Sequence, residues 1–86
     1  MGDYSITFAH SASKELKAFD ESLISTILHK IEGLTKEPHP KGCIKIKGIN
    51  HFWRIRIGDY RVIYSIDDQN KIVDVIAIRH RSKAYR

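Results

Sequence analysis

Near the start of the chain Tyr4, Ile6 and Phe8 alternate with Ser5 and Thr7. A period of two sends successive side chains to opposite faces, so this stretch predicts a strand with one buried side. The period then lengthens. Ser11 or Ser13 can cap a short helix in which Leu16 and Phe19 face inward, and Asp20 offers a second cap directly ahead of Glu21. A helical hairpin follows from that punctuation. In its second arm Leu23, Ile24, Ile27, Leu28, Ile31 and Leu34 recur at three- and four-residue spacings, while Glu21, Lys30 and Glu32 take the solvent side. So broad an apolar stripe must be covered by a sheet.

Residues 36–50 lose this regularity around Pro38, Pro40, Gly42 and Gly48, with Lys36, Lys41, Lys45 and Lys47 spread among them. They predict a basic connection with a short extended piece at residues 44–46. Three strand-like runs come next, at 52–57, 60–66 and 72–78, separated by Gly58-Asp59 and by Asp67-Asp68-Gln69-Asn70, both turn sequences. The expected fold is α+β: an N-terminal strand, a helical hairpin and a three-stranded antiparallel meander, forming one sheet covered by the helices. With no internal repeat or linker, residues 1–86 are expected to be a single domain.

The tight turn fixes a register. Glycine at the first central position suits a type II′ turn and sets Ile57 opposite Tyr60, Arg56 opposite Arg61, Arg54 opposite Ile63 and Trp53 opposite Tyr64. Opposed residues share a face. Trp53, Ile55, Ile57, Tyr60, Val62 and Tyr64 then cover the helices, and Arg54, Arg56 and Arg61 gather on the other side. If the second turn is the four residues 67–70, Ile66 faces Lys71. The same count puts Asp74, Ile76, Ile78 and His80 on the arginine side, with Val73, Val75 and Ala77 in the core.

Composition narrows the chemistry. The chain has 86 residues, with 15 Lys and Arg against 10 Asp and Glu, a formal charge of +5. A chain of this length buries only about 60–65% of its unfolded surface, which favours a site on the surface over an enclosed chamber. The excess of cations points to an anionic partner. Cys43 is the single cysteine, so no internal disulfide is expected, and no apolar leader or long uncharged run marks secretion or a membrane span. A cytoplasmic protein without membrane contact is expected. His10, His29, His39, His51 and His80 are scattered, so neither a metal nor another cofactor is expected, and no nucleophile-elbow motif anchors a serine hydrolase.

The run from Trp53 to Tyr64, WRIRIGDYRVIY, followed by Ile76-Ala77-Ile78-Arg79-His80-Arg81 and Tyr85-Arg86, resembles the RelE group of the RelE/ParE toxin superfamily. The order of strand, hairpin and three strands agrees over essentially the whole chain. The resemblance implies a type II toxin that enters the ribosomal acceptor site and cuts mRNA, held inactive by a RelB-like antitoxin in a hetero-oligomer. It implies a catalytic set of Arg54, Arg56, Arg61, Arg81 and Tyr85. Cleavage by the neighbouring 2′-hydroxyl needs cations around a pentavalent phosphate, a task that suits the paired donors of arginine. It also needs a base, which arginine cannot be. His80 is the candidate by chemistry, since imidazole titrates near neutrality. Tyr85 either stacks on a base or folds against the sheet, and Lys41, Lys45 and Lys47 either position ribosomal RNA or are a solvated loop. Two alternatives stay open: a ParE-like inhibitor of DNA gyrase, and a non-catalytic RNA-binding module of the same fold.

Overall fold

Asp20 sets the corner between the helices, its carboxylate accepting from the Leu23 N–H at 2.8 Å. The computed structural model describes residues 3–48 and 51–82. Along them run β1 (Ser5–Phe8), α1 (His10–Lys17), α2 (Glu21–Glu32), a 3-10 turn at Gly33–Thr35, β2 (Ile44–Lys45), β3 (Phe52–Ile57), β4 (Tyr60–Asp67) and β5 (Ile72–His80). One sheet holds all five strands in the order β1-β5-β4-β3-β2. β1 runs parallel to β5, as a strand reached across a helical crossover can, and the other neighbours are antiparallel. The α+β expectation stands, with the short extended piece at residue 44 now an edge strand.

The first helix starts differently from the expectation. Its N-cap is Ala9, which makes no side-chain cap bond, and Ser11 is spent elsewhere, its Oγ donating to Ile76 O at 3.0 Å. The core joins Ala12, Ile27, Ile31 and Leu34 to the inward residues of β3, β4 and β5. Each fully buried aliphatic side chain there contributes roughly 1.5–3 kcal/mol. The stripe on α2 is narrower than the sequence pattern suggests, since Leu28 remains 39% exposed. Tyr64 is fully buried and its hydroxyl donates to Pro38 O at 2.9 Å, which ties the basic connection to the sheet. Trp53 packs at the edge of this core against His39, with ring centroids 4.6 Å apart. Both large aromatics are therefore structural, as their alternation predicts.

The β3–β4 hairpin follows the counted register at every pair from Trp53↔Tyr64 to Ile57↔Tyr60. Gly58 has φ +58° and Asp59 does not share that sign, the pattern of a type II′ turn. The β4–β5 hairpin does not follow the count. Pairing continues to Asp67↔Ile72, so Ile66 faces Val73 rather than Lys71, and the carboxylate of Asp67 holds the turn by accepting from Asn70 N–H and Nδ2. That is a slip of two residues, which keeps parity: Val73 and Val75 are core and Asp74 lies on the arginine side.

A bulge then reverses it. Tyr64 faces Val75 but Ile63 faces Ala77, leaving Ile76 as an extra residue on β5. Beyond it Val62 faces Ile78 and Tyr60 faces His80. Ile78 is therefore core, Ala77 is buried on the arginine side outside the main cluster, and His80 is on the helix side. These three placements correct the expected ones. The counted register lacked the bulge, and one unpaired residue exchanges the faces of everything after it.

Candidate functional site

On the outer face of the sheet three strands, β3, β4 and β5, bring arginines into line. Arg56 faces Arg61 across β3 and β4, and Arg61 faces Arg79 across β4 and β5. Three guanidinium-bearing residues thus stand in one row perpendicular to the strands. Arg79 was missing from the sequence-based set, because only the bulge brings it to this side. One row over, Arg54 faces Ile63 and Ile44.

Beside that row is a groove of about 380 Å³. Its apolar part is Ile44, Ile46 and Ile63, and its cations are Lys45, Lys47, Arg54 and Arg61. Ile44 is 51% exposed although aliphatic, so this face offers apolar surface together with positive charge. That combination suits a ligand with flat apolar parts joined by anions, as in single-stranded nucleic acid. Lys41 lies in the exposed turn ahead of β2 and is not part of the groove wall.

The Gly58-Asp59 turn joins Arg56 to one further arginine, Arg81, at the end of the row. Arg56 Nε donates to Gly58 O at 3.1 Å, and the backbone N–H of Arg81 donates to Asp59 O at 2.7 Å. Arg81 therefore starts from the turn that Arg56 touches. Asp74 is on the arginine side but accepts from Thr7 Oγ1 at 2.7 Å. Glu15 of α1 meets an arginine directly, its Oε2 lying 2.6 Å from Arg79 Nε.

His80 is turned away from this row. Its ring meets Tyr60 edge-on at 5.3 Å, Tyr60 in turn lies 5.0 Å from Phe19, and Nδ1 is 3.0 Å from Ser82 Oγ. An imidazole so placed braces the end of the sheet against the helical corner. Tyr85 lies outside the described residues. Among the described residues no group of three His, Cys, Asp or Glu is placed to hold a metal ion, and no helix is long and apolar enough to cross a membrane.

Comparison with known proteins agrees with this architecture. A family model described as the ParE toxin of type II toxin-antitoxin system, parDE, matches residues 6–85. Toxin RelE of Mycobacterium tuberculosis is 31% identical over 84 residues, spanning 96% of this chain and 87% of that protein. The archaeal RelE-RelB complex from Pyrococcus horikoshii contains a chain that superposes with a TM-score of 0.83 at 28% identity, covering 95% of this chain and 99% of that one. The isolated E. coli RelE toxin superposes with a TM-score of 0.80 at 23% identity, over 95% of this chain and 90% of that one, a likeness of fold.

Proposed function

Because the chain belongs to the ParE toxin family and is a RelE-like toxin of a type II toxin–antitoxin system, we propose that it is a metal-independent endoribonuclease that cuts mRNA in the ribosomal acceptor site. The single observation that carries this reading is the row Arg56, Arg61 and Arg79, aligned across three strands beside a cationic groove. Like charges directly opposed in a ladder destabilise it, and an anion placed over the row relieves that repulsion. A scissile phosphate is such an anion.

In the proposed reaction the 2′-oxygen gives its proton to solvent water and bonds to the adjacent phosphorus. The bond to the 5′-oxygen breaks as that one forms, and the 5′-oxygen takes up a proton from water, leaving a 2′,3′-cyclic phosphate and a 5′-hydroxyl. Negative charge accumulates on the equatorial phosphate oxygens, where Arg56, Arg61 and Arg79 stabilise it by paired, charge-assisted hydrogen bonds. Arg81 approaches the leaving oxygen from the turn. Arg54, Lys45 and Lys47 hold the flanking backbone in the groove, so that the attacking and departing oxygens are in line. The arginines keep their protons and act as charge stabilisers. The facing of His80 toward Tyr60 argues against its use as the base.

The whole chain acts as one toxin domain, working in the cytoplasm where ribosomes and mRNA are. Its regulator is a RelB-like antitoxin bound in a hetero-oligomer, by analogy with the archaeal RelE-RelB complex. The name of the matching family favours a second reading, inhibition of DNA gyrase. Mapping transcript ends by primer extension after brief expression separates the two. Ribosome-dependent cuts are the expected result; a DNA-damage response without cuts establishes the gyrase reading, and neither response leaves a non-catalytic RNA-binding module.

A further inference from the structure

β1 ends at Phe8, opposite Val75, but β5 continues to His80. The overhang would present an open strand edge, the kind of edge that proteins cover. Here α1 covers it with side chains. Ser11 donates to Ile76 O, and two residues further along β5 the Ile78 N–H donates to Glu15 Oε1 at 2.8 Å. The other oxygen of the same carboxylate accepts from Arg79 Nε at 2.6 Å. One acid therefore closes the edge with one atom and holds an arginine with the other.

We propose that Glu15 is a positioning residue that aims the guanidinium of Arg79 at the scissile phosphate; this rests on the nuclease reading given above. Arg79 stands opposite Arg61, so repulsion alone would swing its long side chain into solvent. Contact through Nε prevents that and leaves both Nη groups, which have no partner among the described residues, as a planar fork for an anion. Partial exposure makes an ordinary ion pair a weak constraint, with 45% of the Arg79 side chain and 26% of the Glu15 side chain accessible. Glu15 differs because its second oxygen is fixed to the backbone of the strand that carries Arg79. The pair is thus built for orientation. It also explains why an acid is tolerated beside a phosphate site: its charge is directed to the Nε side of Arg79.

Glu15→Gln tests this without opening the edge. The amide oxygen can still accept from the Ile78 N–H, but the amide nitrogen cannot accept from Arg79 Nε. Cleavage of a defined mRNA on programmed ribosomes is expected to slow about 10- to 100-fold in kcat with KM unchanged, the size expected of a misplaced catalytic group. Arg79→Ala should slow it at least as much, and the double variant Glu15→Gln/Arg79→Ala no further than Arg79→Ala alone. The Nε–Hε resonance of Arg79 should exchange slowly with water in the native protein and freely in Glu15→Gln. Native cleavage by Glu15→Gln, or additive losses in the double variant, would overturn the positioning role while leaving the nuclease reading intact. A native protein that cuts no transcript would overturn the nuclease reading itself, and the positioning role with it.

Discussion

Replacing Arg54 and Arg61 together by glutamine removes two of the four cations that line the groove while keeping side-chain length and most of the packing against Ile44 and Ile63. If each of the four engages one phosphate, the slope of log affinity against log salt for single-stranded RNA should be about −2.8, from roughly 0.7 per phosphate neutralised. The double variant should show about half of that, near −1.4. Between roughly 50 and 200 mM salt the native protein should lose about 50-fold in affinity and the variant about sevenfold. Fluorescence anisotropy of a labelled oligonucleotide at several salt concentrations measures both slopes directly. An unchanged slope would refute the assignment of this groove to the phosphate backbone. So would a weaker affinity at an unchanged slope, since that would trace the loss to packing rather than to charge.

Gly58→Ala should lower stability by about 1–2 kcal/mol, the cost of a left-handed residue bearing a Cβ, and Gly58→Asn by less. Nothing stands within 4 Å of the added carbon, so a urea midpoint reads the conformational cost alone, and equal midpoints for alanine and glycine would contradict the turn type. Tyr64→Phe strips the buried Pro38 carbonyl of its donor and should cost about 1–3 kcal/mol at neutral pH. Burial holds the Tyr64 hydroxyl well above the ordinary tyrosine range. Its contribution is therefore complete below about pH 10 and declines above it, as the unfolded chain ionises first, by up to ~1.4 kcal/mol per pH unit. Alkaline unfolding should be less steep in Tyr64→Phe, and an identical pH profile would show that this hydroxyl titrates normally. His80→Ala should leave the pH dependence of mRNA cleavage between about pH 6 and 8 unaltered, because the ring faces Tyr60. A rate that loses one titration in that variant would return His80 to the chemistry.

Much of this architecture is legible in local sequence. The alternation at 52–57 and 60–66 and the Gly58 turn give a register that the structure reproduces pair by pair, because a two-residue turn leaves no freedom in the pairing. Asp20 caps its helix as read. Arg54, Arg56 and Arg61 follow from that hairpin alone. What eluded the sequence depends on distant partners. Ser11 has a cap-like position but is claimed by the β5 edge, 65 residues away, and Glu15 reaches the same edge from α1. Neither contact has a signature within its own helix.

The bulge at Ile76 is the deeper case. Ile76, Ala77 and Ile78 are all apolar, so the run reads equally well with or without an extra residue, and only the burial of two consecutive positions, Ala77 and Ile78, betrays the break. Without it Ile78 and His80 would stand on the arginine side. With it Arg79 does, completing a row with Arg56 and Arg61, while His80 turns to Tyr60. A bulge that re-aims a side chain beside a site also loosens the strand's pairing there, and the Ser11 and Glu15 bonds to β5 fall on and just after it. The irregularity that assembles the arginine row is thus secured by the same helix whose carboxylate orients the last arginine in it. Sequence signals for the clamp and for its support lie in different parts of the chain, and they meet only because β5 outruns β1.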